Sequence, residues 1–364
     1  MSFDTCKSLG FPVYMPVSRT VLTRPGKSEA SISAPDGGFL LSIAVSRIKT
    51  SSRLTKGYLI GLTGTFLWSS TAVFIRYLVV AYQLPSMVLA FWRDLLVFVF
   101  LLVIFAAVRP KWLRVAPTQL RFLLIYGFLL SIFNASWTFS VALNGAAIST
   151  VLVYSSAAFT ALLGWRIFGE SFRFWKILAV LLSLVGCVLV SGAWSASSWQ
   201  VNPIGIIVGL ASGLAFAAYS LFGKAASNRG ISPWSTLLYT FGVAAAFLLV
   251  YNLLPAAWPG GAAENLWWLG SSLAGWVVLV ILAVGPTAGG YGLYTVSLTY
   301  LPASVANLIA TLEPALTAGL AYLFLGERLN STQLFGGLMI LAGVVLLRLR
   351  ERANPLESSQ ASAP

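Results

Sequence analysis

Four ionisable side chains fall within stretches that are otherwise apolar: Arg76, Arg93, Asp94 and Glu313. In a low-dielectric setting such a group is costly unless it is paired, or faces water or a ligand, so each is a candidate for function. Glu313 precedes Pro314, which lacks a backbone donor and frees the carbonyl of Ala310, and Thr317, four residues on, shares its helix face. The chemistry on offer is an acid that contacts a substrate ammonium or accepts a proton. The alternative is a buried carboxyl satisfied by neighbouring helices. Arg93 can serve a substrate carboxylate or snorkel to the headgroups. Arg76 and Asp94 lie at similar depth on either side of the Pro85 turn and are expected to pair as an outer gate. Arg93 and Asp94, being adjacent, point about 100° apart on a helix and are not expected to meet.

Polar groups on apolar bodies surround these four. Ser156 and Thr160 repeat the spacing of Glu313 and Thr317, and Asn134, Trp137, Tyr291, Tyr294 and Trp68 are candidates to touch an organic substrate. Packing is the alternative for each ring. The residues that much chemistry needs are missing. There is no histidine, and the two cysteines, Cys6 and Cys187, lie in unlike surroundings, which argues against a disulfide framework, a metal site or a histidine base. No phosphate-binding Gly-x-x-x-x-Gly-Lys-Ser/Thr loop is present. An intramembrane enzyme would need clustered acids or a nucleophile with its base, and Asp94 and Glu313 lie in different halves of the chain. The expectation is a non-enzyme without metal or cofactor.

Composition dictates the elements that hold these residues. Of 364 residues, 58% are hydrophobic and 9% charged, against about a quarter charged in a soluble domain; mean hydropathy is +0.85. Most of the chain therefore belongs in a lipid bilayer, which excludes a soluble enzyme, a coiled coil or a disulfide scaffold. Hydropathy predicts ten helices over 57–80, 86–108, 120–143, 147–168, 174–192, 203–224, 234–254, 272–297, 302–325 and 331–348.

The net charge of +13 would suggest nucleic acid if it covered one soluble face. Its distribution says otherwise. Lys and Arg fill the leading tail, the connection after helix 2, the boundary of helices 4 and 5, and the ends of helices 6 and 10. A ten-helix path puts all of these on one side, and of the 23 basic residues only Arg76, Arg93 and Arg328 fall elsewhere. By the positive-inside rule that side is cytoplasmic, with both termini inside a cell (inner) membrane protein. No nucleic-acid partner is expected, and sequence leaves the oligomeric state open.

The chain also repeats. Residues 140–190 align without a gap on 297–347, bringing Gly169-Glu170 onto Gly326-Glu327 and Ser156 onto Glu313, and the same offset makes Trp137 the partner of Tyr294. At another offset Gly57, Gly61, Arg76 and Pro85 meet Gly205, Gly209, Lys224 and Pro233. Each half holds five helices, an odd number, so the second half must cross the membrane inverted. The expected fold is an all-α integral membrane protein of ten transmembrane helices in two inverted five-helix repeats. The expected divisions are a disordered cytoplasmic tail over 1–52, the first repeat over 53–192, the second over 203–350 and a cytoplasmic tail over 351–364. Such pseudosymmetry suits a site near the midplane exposed alternately to the two sides.

Specific stretches carry a resemblance. Gly289-Gly-Tyr-Gly-Leu-Tyr294, Tyr300-Leu-Pro-Ala-Ser-Val-Ala306, Ala310-Thr-Leu-Glu-Pro-Ala315, Leu325-Gly-Glu-Arg-Leu329 and the glycine-rich last helix resemble the second half of an EamA-type transporter of the drug/metabolite transporter superfamily. Ala90-Phe-Trp-Arg93 and Phe168-Gly-Glu170 resemble its first half more loosely. The resemblance implies a carrier with a central cavity that exports amino acids or other small metabolites, with nucleotide-linked sugars or drug-like cations as alternative cargo. Protons are a candidate coupling ion through Glu313.

Overall fold

The computed structural model describes residues 37–195, 202–254, 266–325 and 330–353. Among the described residues ten helices are long and apolar enough to cross a membrane: Ser52–Tyr82, Ser86–Val108, Pro117–Val141, Ile148–Phe168, Phe174–Ser191, Pro203–Asn228, Pro233–Leu253, Leu273–Ser297, Ala303–Leu320 and Ser331–Arg350, hereafter spans 1 to 10. The described residues hold no strand. The helix that carries span 1 starts at Gly37. Residues 1–36 and 354–364, within the two expected tails, lie outside the described residues, as do Arg328 and Gly326-Glu327.

Local sequence sets the ends of these helices. Pro117, Pro203 and Pro233 occupy first-turn positions, where a missing N–H costs nothing. Asn202 caps span 6 by accepting from the Ile204 amide at 2.9 Å. Spans 3 and 4 turn into one another at Gly145, whose φ of 75° and ψ of 166° suit a residue without Cβ.

The spans pack in telling partnerships. Span 3 lies along span 6, span 1 along span 8, span 2 along span 7, span 4 along span 9 and span 5 along span 10. These pairings are consistent with a twofold relation that exchanges spans 1–5 with spans 6–10. The 5/10 pairing is close because both sides lack a side chain where they cross. A Cβ on Gly186 would stand 2.6 Å from the Gly336 carbonyl oxygen, and one on Gly343 would stand 2.8 Å from that of Ala179. Large apolar side chains such as Val103, Leu181, Ile207 and Leu338 are exposed on the outside of the bundle, as a lipid-facing surface requires.

Candidate functional site

Three spans break near the middle of the bundle. In span 9 the helix Ala303–Ala310 ends and a new one begins at Glu313, with Thr311 and Leu312 bonded back only three residues, to Leu308 and Ile309. Pro314 causes this, since it cannot donate to Ala310. In span 4 the helix ends at Tyr154 and restarts at Ser156. There the Ser155 hydroxyl and amide both bond back three residues, to the Leu152 carbonyl, at 2.6 and 3.2 Å. Ser156 and Glu313, the two restart residues, are equivalents in the sequence repeat. Span 1 breaks at Ser70, and there the Ser69 carbonyl accepts from the Thr317 hydroxyl at 3.0 Å.

Span 8 is irregular too. It holds a π-helical stretch, Ala283–Gly289, with Pro286 inside it. Pro286 cannot donate to the Leu282 carbonyl, and the Thr287 hydroxyl does so at 2.9 Å. This bulge sets the register of the helix that follows, which carries Tyr291.

The breaks surround a cavity of about 650 Å³. Of the residues expected at a site, Trp68, Arg76, Arg93, Asn134, Trp137, Tyr291, Glu313 and Thr317 line it. Arg76, Arg93, Asn134 and Trp137 lie toward the ends of spans 1, 2 and 3 that are away from the basic residues, whereas Tyr291 lies deeper, in the opposite half of span 8. Its floor is aromatic: Trp68 stands 4.3 Å from Tyr291 and 5.6 Å from Phe216, its repeat equivalent, and Phe216 stacks on Phe133 at 5.1 Å between ring centroids. Glu313 receives a hydrogen bond from the Tyr154 hydroxyl, a contact between spans 9 and 4 and so between the two halves.

The expected pairing of Arg76 with Asp94 is corrected. Asp94 pairs with its neighbour: Nε of Arg93 donates to Oδ1 of Asp94 at 3.1 Å, and Nδ2 of Asn134 donates to Oδ2 at 2.7 Å. Adjacent Cβ atoms do diverge on a helix, but the arginine stem is long enough to curl its Nε back, and the divergence rule does not govern side-chain tips. Asp94 is fully buried behind Arg93, while Arg76 stands on the cavity wall.

Ser156 and Tyr294 lie off the cavity. Ser156 donates to Oδ1 of Asn307 at 3.0 Å, Nδ2 of Asn307 donates to Ser220 at 3.0 Å, and Ser220 shares a hydrogen bond of 2.6 Å with the Tyr294 hydroxyl. This buried chain ties spans 4, 9, 6 and 8 together. The two polar stripes expected from the repeat are thus unequal, one facing the cavity and one sealed in protein.

The opposite end of the bundle, where the basic residues gather, is closed by Glu170. Its Oε1 accepts from the Ala303 amide at 2.8 Å, and its Oε2 accepts from the Ser304 hydroxyl and, at 3.2 Å, from Nζ of Lys176. A carboxylate from the first half therefore caps the N-terminus of span 9 in the second half, where unbonded amides and the helix dipole favour it. Above it, Tyr126 and Tyr219 lie 4.7 Å apart and Phe122 stacks on Phe222 at 5.2 Å.

Sequence reasoning missed Tyr154, Asn307 and this role of Glu170. A signal for Tyr154 existed: if spans 4 and 9 are repeat partners, residues next to Ser156 must face those next to Glu313. Among the described residues no three His, Cys, Asp or Glu side chains gather closely enough to hold a metal.

Comparison with known proteins fits this geometry. The chain matches the EamA-like transporter family over residues 55–192 and 203–349. It belongs to that family. This EamA-like chain is 31% identical over 221 residues to an uncharacterized transporter of Archaeoglobus fulgidus, covering 60% of this chain and 74% of that protein. It is 26% identical over 301 residues to the "Probable amino-acid metabolite efflux pump" of Escherichia coli, covering 80% and 94% of the two chains. A crystal structure at 17% identity has the same fold, with a TM-score of 0.67 over 82% of this chain and 98% of that one. The EamA-like protein is an integral membrane transporter of a small-molecule substrate, not an enzyme.

Proposed function

We propose that this transporter is a secondary active carrier that exports a small metabolite, an amino acid in the first instance, across the cytoplasmic membrane. The observation that carries the reading is a carboxyl and a guanidinium, Glu313 and Arg93, on the wall of one cavity of about 650 Å³. A space of this size encloses a small solute, and groups of opposite charge suit a zwitterion. The relatives in Escherichia coli and Salmonella typhimurium, each named a "Probable amino-acid metabolite efflux pump", support the same cargo class.

The Lys and Arg distribution supports cytoplasmic termini, under which the cavity faces outward and the Glu170 closure faces the cytoplasm. Two inverted halves support alternating access, in which the Glu170 contact parts as the cavity mouth shuts. Arg76 is the gate residue at that mouth. Glu313 is the coupling residue, taking a proton from outside in exchange for cargo, and Tyr154 holds its carboxyl while it waits.

Counterflow by purified protein in proteoliposomes against a panel of amino acids, with Glu313→Gln and Arg93→Lys in parallel, tests the reading. Saturable counterflow of at least one panel member is expected, weakened in Arg93→Lys. If no member moves, amino-acid cargo is abandoned. Flux that does not saturate would indicate a channel.

A further inference from the structure

Arg93 is held in an unusual way for a buried arginine. It is 7% exposed, and its partner Asp94 is fully buried. A guanidinium offers five N–H donors, and an ion pair kept for stability would engage them bidentately and leave few unmet. Here Asp94 takes Nε alone. Neither Nη nitrogen has a hydrogen-bond partner among the described residues, and the residue lines the cavity. Neither Nη is sealed off in protein; both open onto the cavity, where water meets them when it is empty and an anionic guest can take its place.

Asn134 stands in the same position. A carboxylate can only accept, so the Asn134 group at 2.7 Å from Asp94 Oδ2 must be its NH₂. Its carbonyl Oδ1 is then turned away from Asp94. Asn134 is 4% exposed and lines the cavity, and its Oδ1 has no hydrogen-bond partner among the described residues. Arg93 lies seven residues in from Ser86 at the start of span 2 and Asn134 seven back from Val141 at the end of span 3. At 1.5 Å per residue both stand roughly 10 Å below the same face.

We infer that Asp94 is the positioning residue of a recognition fork. It holds Arg93 by Nε and Asn134 by Nδ2, so that both Nη nitrogens of Arg93 grip a cargo carboxylate while Oδ1 of Asn134 accepts from the α-ammonium of the same molecule. The inference rests on the amino-acid reading above and deepens it: spans 2 and 3 fix the carboxylate and one ammonium hydrogen of the cargo, and Glu313 on the same wall offsets the ammonium charge until it takes the proton. The Arg93–Asp94 pair is neutral overall, so a zwitterion enters without changing the net charge of the site. A bare amine meets the arginine and is rejected. A bare carboxylate binds but leaves Oδ1 of Asn134 unmet.

Phenylglyoxal, which condenses with the two Nη nitrogens of an accessible arginine, tests this on the full-length protein in nanodiscs, with modification read at Arg93 by peptide mass spectrometry. Glycine, acetate and methylamine serve as protectants that carry both charges, only the carboxylate and only the amine. Arg93 is expected to react, with glycine protecting best, acetate less well and methylamine not at all. Asp94→Asn should raise the half-protecting glycine concentration about tenfold or more, the scale of a charge-assisted hydrogen bond, and Asp94→Glu should recover part of it. Asn134→Ala should erase the preference for glycine over acetate while keeping acetate protection, a readout that survives if Asp94→Asn fails to fold. An unreactive Arg93, equal protection by methylamine, or an Asn134→Ala protein that still prefers glycine overturns the inference. Counterflow separates the two readings: protection without amino-acid counterflow sinks the carrier cargo alone, and counterflow without protection sinks the fork alone.

Discussion

Tyr154 donates its hydroxyl hydrogen to the Glu313 carboxylate, joining the end of one broken helix to the start of another across the two halves of the protein. The contact makes Glu313 responsive to any relative movement of spans 4 and 9. Under the proton-coupled reading, Glu313→Gln is expected to retain counterflow but lose the pH dependence of net efflux. Tyr154→Phe should keep a pH dependence of altered profile. Efflux rates in proteoliposomes over a pH series check both, and a Glu313→Gln protein with the wild-type profile would remove Glu313 from coupling.

The Glu170 cap should control access at the basic end. Glu170→Gln leaves Lys176 buried without its charge partner and weakens the hold on Ala303 and Ser304. Amide hydrogen exchange over Ala303–Ala310 is expected to speed up by about tenfold or more, since opening there should cost at least 1.4 kcal/mol less. Unchanged exchange would mean that the cap is decorative.

The Ser156–Asn307–Ser220–Tyr294 chain should matter for stability alone. Asn307→Leu strands the buried Ser156 hydroxyl and takes one donor from Ser220, which keeps Phe216 and Tyr294, and is expected to cost about 1–3 kcal/mol of stability. Ser156→Ala should cost less, since one donor is lost and one acceptor orphaned. Thermal denaturation in detergent reads the loss, and the order of preference among counterflow substrates should stay as in the wild type.

The crossing of spans 5 and 10 admits no side chain. Gly186→Val would drive a methyl group into the Gly336 carbonyl, which lies 2.6 Å from where its Cβ would be. The expected cost is about 3 kcal/mol or more, because the neighbour is backbone and cannot rotate away. Gly192→Ala, at the end of span 5 with φ of 77° and open space around it, should cost about 1 kcal/mol through strain alone.

Much of the fold was legible because the bilayer imposes one-dimensional rules. Twenty-residue apolar runs and a one-sided Lys and Arg distribution need no tertiary knowledge, and an odd number of helices per repeat implies that the halves run inverted. The site was half legible. Glu313, Arg93, Asn134 and Tyr291 were found because polar groups at membrane depth must face something. What they face could not be read, because it depends on side-chain tips. Arg93 reached its neighbour by curling back. Ser156 and Tyr294, expected beside a substrate, were drawn into protein by Asn307, a residue whose partners sit 151 and 87 positions away.

The paired breaks of spans 4 and 9 are made of different material. Ser155 keeps its backbone N–H, which bonds the Leu152 carbonyl at 3.2 Å, whereas Pro314 lacks the hydrogen for good. The break in span 9 is therefore fixed by covalent chemistry, and the one in span 4 is not. An exchange of roles between the halves, the simplest cycle that inverted symmetry allows, would then be uneven. Under the alternating-access reading, span 9 keeps its missing bond in both states while span 4 can regain its own, so the two halves share the motion unequally.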